Sequence, residues 1–516
     1  MEEKPLIIKI SKSDNAGVVV NSEGLKKGTI LADGTLLTEF IPFGHKVALH
    51  NISTGEKIIR YDQVIGLSNK MIMRGEWIRE SKVDLPESPD LDSIELNDDN
   101  LPLPEPLKGY TFKGFRNQDG SAGTKNVLGI STSVSCVSGF TNYIAEKIKK
   151  ELLDKYPNVD DVVPLNHSYG CGVAIDAKGS EIPVRTLRNI SSNPNFGNVV
   201  MIIGLGCEKL LPERLIEETD QNSRTGRDRD QRIIIMQDES MTGYQEITQK
   251  VMELAERQLK VLNARERVVV PASDLIVGMQ CGGSDSFSGI TANPVAGFAA
   301  DLIVRAGGSV MFSEVTEVRD AVHKLIPRTI DHETGKALIN EMKWYDEYLL
   351  RGGADTSANP TPGNKEGGII NIVEKALGSV AKSGSTPIVD VLRPGEKIRK
   401  RGLTFAATPA SDFICGTLQV ASGMNVHVFM TGRGSPYGLS MVPVIKVGSN
   451  SRLNKHWSDL IDLDAGQVAS GFKTIEEMGW ELFHLILEVA SGEKKVACDI
   501  LGLHNDLVLF NPGPVT

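Results

Sequence analysis

From residue 109 onward, apolar runs and amphipathic stretches take turns along the chain. The runs NVLGIST (126–132), NVVMIIGLG (198–206), DLIVGMQ (274–280), GSVMFSEV (308–315), GLTFAAT (402–408) and NVHVFMTG (425–432) are almost continuously apolar. Between them, FTNYIAEKIKKELLDKY and YQEITQKVMELAERQLKVLNARER place apolar residues at helical spacing. Strands without alternation are buried on both faces, so this pattern predicts a parallel sheet flanked by helices, a Rossmann-like α/β fold. Residues 1–82 behave differently. Short segments such as LIIKI, AGVVV, KVALHNI and KIIRY alternate between turn signals ADGT and STGE, which predicts a small all-β module. The stretch 83–108 joins the two patterns with five prolines and eight acidic residues against one lysine, which predicts an extended acidic linker. The expected division is therefore a β module at 1–82, a linker at 83–108, a second α/β domain at 109–270 and a catalytic Rossmann-like domain at 271–516.

The ends of the apolar runs carry the chemistry. Ligands of parallel sheets bind beyond the carboxyl ends of the strands. Three runs reach a cysteine there: Cys136, Cys207 and Cys281. If those strands are parallel neighbours, the thiols converge on one crevice, where soft thiolates suit iron, zinc or an iron–sulfur cluster. A cysteine taken singly also reads as a small buried hydrophobe. Glu314 ends a fourth run and offers a hard oxygen ligand, a general base, or a charge at a helix N-terminus. Cys136, Cys207, Cys281 and Glu314 are thus the candidate metal ligands. His167, in the loop NHSYGCG with Tyr169 and Cys171, and His45 with Lys46, after the Pro–Gly turn of PFGHKVAL, are the candidate bases. Arg116, Lys125 and Asn126 in FRNQDGSAGTKN and Arg433 in TGRGSPYG offer donors for carboxylates and hydroxyls. Each of these, alone, also fits a polar turn.

Composition removes several function classes. A formal net charge of -10 argues against nucleic acid or an anionic membrane as the main partner. No apolar window reaches membrane-spanning length, and MEEKPLIIKI is not a signal peptide, so a cytoplasmic chain with reduced thiols is expected. GLGCEK lacks the third glycine of the dinucleotide fingerprint, GRGSPYG is one residue too long for it, and no phosphate-binding GxxxxGK[ST] occurs. A thiol redox sensor and a non-catalytic sugar-acid binder remain as rivals to an enzyme.

The stretches PFGHKVAL, GYTFKGFRNQDGSAGTKN, LNHSYGCGVAI, IIGLGCEKL, GMQCGGSDSFSGITANP, FSEVTEVRDAVH, TPASDFICGT, TGRGSPYG and NPGPVT resemble, in order and over essentially the whole chain, the galactarate and altronate dehydratase family. The resemblance implies a β-clip module of the SAF type at the N-terminus and a candidate dimerisation region in the second domain. It also implies a metal-dependent hydro-lyase acting on a sugar diacid: galactarate to 5-dehydro-4-deoxy-D-glucarate, or a related step on altronate or glucarate. Ferrous iron is the implied ion, with an iron–sulfur cluster or another divalent cation as alternatives, and a homodimer the implied assembly.

Overall fold

The computed structural model describes residues 4–97, 100–216 and 232–515. Alternation in the N-terminal module resolves into two antiparallel sheets. One pairs Ile7–Ile8, Ala16–Val19, Lys46–Ala48 and Trp77–Ile78; the other pairs Lys57–Arg60, Gln63–Ser68 and Val83–Asp84. The inward set Ile52, Ile58, Ile65, Ile72 and Ile78 packs against Ile370 and Ala376 of the C-terminal domain, so the module shares its core with the domain it covers. Its hairpin turns through Tyr61 and Asp62, both at φ 58°. Such a two-residue turn with positive φ matches strand twist but ordinarily takes Asn–Gly. Here the Arg60 guanidinium stacks 4.5 Å from the Tyr61 ring, and Tyr61 packs into a cluster with Phe287 and Ile290.

Past the strand Val83–Asp84, the described residues of the 83–108 segment form neither helix nor strand, and the segment is not free. Leu91 is buried, and Ile94, Leu96 and Leu107 pack on the C-terminal core. Backbone bonds run from Leu101 to Ile330 at 3.1 Å and from Leu107 to Arg305 at 2.6 Å. The segment is a strap bound across the C-terminal domain; two of its residues, 98 and 99, lie outside the described ones.

The predicted parallel strands divide between two sheets. In the second domain β1 (Val127–Thr132), β2 (Asp161–Leu165), β3 (Met201–Gly204) and β4 (Ile233–Ile235) run parallel in the order β2-β1-β3-β4. Helices α1 (Ser138–Glu151) and α3 (Gly243–Asn263) cover one face and α2 (Glu181–Ile190) the other. In the C-terminal domain β5 (Ile276–Cys281), β6 (Ser309–Phe312), β7 (Ile388–Leu392), β8 (Gly402–Ala406), β9 (Val426–Thr431), β10 (Val444–Gly448) and β11 (Leu463–Asp464) form one parallel sheet ordered β7-β8-β6-β5-β9-β10-β11. The chain starts at the centre and winds to both sides, which opens a crevice between the carboxyl ends of β5 and β9. Helices α4 (Ala292–Arg305) and α8 (Ile475–Ala490) pack on one face, α7 (Asp412–Ala421) on the other, with α5 (His332–Arg351) and α6 (Ile372–Ser379) at the rim. No described helix is long and apolar enough to cross a membrane.

Asn195 joins the two α/β units. Its carbonyl oxygen accepts from the backbone of Thr124 and Lys125 at 2.8 and 3.2 Å, and its amide donates to the Met441 carbonyl at 2.8 Å, with Asn195, Thr124 and Met441 all buried. Asn195→Ala leaves these backbone groups buried and unpaired. It is expected to lower unfolding stability by about 3 kcal/mol in urea titration, and an unchanged midpoint would remove Asn195 from the interface.

Candidate active site and metal centre

Cys281 ends β5, where the crevice opens. Its thiol lies 3.4 Å from Glu317 and 3.2 Å from the Lys382 ammonium, which in turn donates to Glu314 at 3.0 Å. Lys375 pairs with Glu317 at 2.8 Å. All of these groups are buried. Glu314 immediately follows β6 by one residue, at φ 74°, a left-handed conformation costly for a residue with a side chain. The turn is held by the Glu314 N–H, which donates to the Thr408 hydroxyl at 3.1 Å. On the far side, Asp412 at the start of α7 accepts from Gln280 at 3.2 Å. Gly282 lets that carboxylate come close, since a Cβ there would lie 2.5 Å from it.

Burial and charge set the proton inventory. Burial, then repulsion from Glu317, pushes Glu314 up to about 8; burial, partly offset by Lys382, pushes Cys281 up to about 11; burial with Glu317 nearby lifts Asp412 to about 6. Burial works against the charges of Glu317, Lys375 and Lys382. Mutual attraction overrides it, holding Glu317 below its ordinary range and both lysines above theirs. Near neutral pH the site therefore keeps protons on Cys281 and Glu314. The donor atoms of Cys281, Glu314 and Glu317 lie within 4.8 Å of one another, one soft sulfur and two hard oxygens. A divalent cation entering this set displaces the two protons and leaves the buried charge unchanged, so the residues fit such an ion.

Toward solvent the site passes under the N-terminal module. Arg60 and Lys46, buried residues of that module, converge on Glu374 of α6; Lys46 Nζ is 2.6 Å from its carboxylate and 3.1 Å from Ser286 Oγ. Burial and the Arg60 charge push Lys46 far below the ordinary lysine range. Asp285, raised by burial, accepts from Ser288, Ser449 and Asn450 at 2.8–2.9 Å. Beyond it opens a cavity of about 670 Å³ whose wall includes Phe43, Asp285, Arg433, Arg452, Lys455 and His456. His45 is half-buried beside this wall. Its Nε2 lies 3.1 Å from the Glu366 carbonyl, which can only accept, so the proton is on Nε2 and Nδ1 keeps its lone pair. Burial and Lys46 lower its pKa to about 4, so it is neutral.

The remaining expected residues separate. Cys136 and Cys207 do not meet Cys281: they are exposed at the end of the second-domain sheet, because β1 and β3 belong to a different sheet from β5. Only Cys281 and Glu314 of the four expected ligands come together. His167 is buried with both nitrogens taken: Nδ1 accepts from the Tyr169 N–H at 3.0 Å and Nε2 donates to the Thr132 carbonyl at 2.7 Å. It clasps a loop and has no nitrogen free for a substrate proton. Asn126 is likewise committed, to the Asn158 and Leu262 carbonyls and Arg265. Arg116 pairs with Asp274 and Lys125 with Asp499, both carboxylates from the C-terminal part of the chain. Arg433 does line the cavity, paired with Glu366 at 2.9 Å. Glu317, Lys375, Lys382 and Asp412 were not anticipated. For the two lysines a signal is present in IVEKALGSVAKSG, where Lys375 and Lys382 interrupt a run of mostly small and apolar residues.

Burial lowers the pKa of His167 to about 4, below the unfolded value near 6.5. The neutral form is the one the fold favours, so its stabilisation is full above about pH 6.5 and is lost as pH falls toward 4. His167→Gln is expected to flatten the stability–pH curve across that window by up to about 3 kcal/mol, measured by denaturant unfolding at several pH values.

Family models cover the chain in three pieces. They match residues 5–86 as "Altronate/galactarate dehydratase SAF domain", 114–263 as "D-galactarate dehydratase/Altronate hydrolase, second domain" and 272–515 as "D-galactarate/Altronate dehydratase, C-terminal". Galactarate dehydratase (L-threo-forming) of Escherichia coli K12 is 58% identical over 99% of this chain and 97% of its own. Altronate dehydratase of Bacillus subtilis is 34% identical over 94% and 95%, and the (2R)-sulfolactate sulfo-lyase subunit beta of Chromohalobacter salexigens 29% over 78% and 98%. With every domain matched in order, the chain belongs to the galactarate/altronate dehydratase family.

Proposed function

We propose that this chain is a hydro-lyase that dehydrates galactarate to 5-dehydro-4-deoxy-D-glucarate. The observation that carries the reading is the 58% identity, spread over 99% of the chain, with a relative named for galactarate. The crevice supports it with a buried Cys–Glu–Glu donor set behind a cationic cavity. A sugar diacid brings two carboxylates, and Arg433, Arg452 and Lys455 offer positive charge to them at the cavity wall. Loss of water needs a base for the proton beside a carboxylate, and the reading assigns that proton to Nδ1 of His45. The ring is neutral, and its other nitrogen is anchored, which fixes the lone pair in place. Asp412, outside the three-donor set and lifted to about 6 by burial, is the carboxyl suited to protonating the departing β-hydroxyl. The enol left by elimination becomes the keto product by protonation at carbon. A divalent cation held by Cys281, Glu314 and Glu317, iron in this reading, supplies a Lewis acid for the oxygen charge that develops. Lys375 and Lys382 offset the repulsion between the two carboxylates and hold them in place. The reading also includes a homodimer in the cytoplasm.

His45→Asn is expected to lower kcat by about 10²–10⁴-fold with a smaller change in KM, followed as keto product formed from galactarate. Cys281→Ser is expected to keep its fold by circular dichroism while losing, on anaerobic metal analysis, the iron that is not matched by acid-labile sulfide, and most turnover; full sulfide-free iron with full turnover would remove the thiol from the centre. Galactarate, altronate and glucarate assayed side by side test the substrate, and faster turnover of altronate than galactarate overturns that part.

A further inference from the structure

The second domain carries three thiols that the proposed reaction does not use. Cys136, Cys171 and Cys207 follow β1, β2 and β3, direct parallel neighbours with β1 in the middle. The loops bearing them are bonded to one another. The Ser135 N–H donates to the Tyr169 carbonyl at 3.1 Å, and the Ser133 hydroxyl to the Glu208 carboxylate. Gly170, at φ 106°, presses on the Ser133 carbonyl so closely that any Cβ would overlap it, which brings the Cys171 loop against that of Cys136. Glu208 also accepts from the N–H groups of Leu205 and Gly206 at 3.0 and 2.5 Å. Its charge is thereby turned inward, and its neighbour Cys207 is left facing out. All three thiols are free and exposed at the end of the sheet where α/β folds place ligands. Beneath them the Thr132 hydroxyl and the Asn166 side-chain oxygen are buried with no hydrogen-bond partner among the described residues.

A cluster and a single ion ask different things of three thiols. A single tetrahedral ion draws every sulfur to about 2.3 Å from one point, so the sulfurs crowd together. Among the described residues the one set of three donor atoms lying within 4.8 Å of one another is Cys281, Glu314 and Glu317. The three rim thiols are not gathered that closely, and a cluster does not ask it of them, since each thiolate there binds a different iron. We propose that Cys136, Cys171 and Cys207 hold a [4Fe–4S] cluster in the second domain, independently of the Cys281 centre. Loading is ligand exchange without electron transfer. Each cysteine replaces one small-molecule thiolate on a preformed cluster, its S–Fe bond forms, and its proton leaves on the released thiol. The fourth iron has no cysteine of this trio and keeps an exchangeable ligand.

The test is anaerobic incubation of the full chain with a [4Fe–4S] cluster capped by small thiols, followed by desalting. The expected result is retained iron and acid-labile sulfide in equal amounts, with broad visible absorption, in the unmutated chain and in Cys281→Ser. Single Cys136→Ser, Cys171→Ser and Cys207→Ser variants are expected to retain much less, and the triple variant none. A second readout needs no variant: the loaded chain is expected to shield these three cysteines from iodoacetamide, mapped by peptide mass spectrometry. Retention by the triple variant, absence of retention by the unmutated chain, or equal alkylation with and without cluster would overturn the proposal.

Discussion

Six ionisable groups meet out of water at the carboxyl end of the seven-stranded sheet, and the arrangement depends on Lys382. Its ammonium touches Cys281, Glu314 and Ser379 at once. Buried carboxylates without a cation would be expelled or protonated. One lysine reaching three partners lets β5, β6 and α6 end at the same point. Glu314 then accepts its unfavourable backbone, because the turn that strains it also delivers it to this cation.

The same constraint governs how the N-terminal module sits. Glu374 opens toward that module, and Arg60 and Lys46 answer it from two different strands of the β fold. The hairpin tip at Tyr61 and Asp62 reaches into the packing around Phe287, so the module is a wall of the site. Its isoleucines and those of residues 370–376 form one apolar layer. Substrate-facing chemistry therefore comes from two folds that neither buries its core nor balances its charge alone.

Much of this was legible in the amino-acid order. The six apolar runs all became strands, because a strand buried on both faces must be apolar throughout. The strands at 161–165, 388–392 and 444–448 did not stand out: each holds a polar or imino residue, Pro164, Asp390 or Lys446, that breaks the apolar run. The meeting of Cys281 and Glu314 was readable from their positions at strand ends. The expected meeting of Cys136 and Cys207 with Cys281 failed because apolar runs do not say which sheet they join. Lys375 and Lys382 were hidden, since a lysine in a helix is ordinarily solvated and only tertiary packing buries it. His167 and Asn126 looked chemical for the reason that makes them structural: a polar group held out of water must bond, and backbone was nearer than substrate.

The strap at 83–108 also fixes the reach of the N-terminal module. Because Arg319 grips the Pro89 carbonyl and Leu91 is packed, only a few residues separate the module's last strand at Asp84 from its first hold on the C-terminal domain. The module is thus tethered at high effective concentration over its own seat. Exchange of covers between neighbouring copies is disfavoured by the length of chain alone.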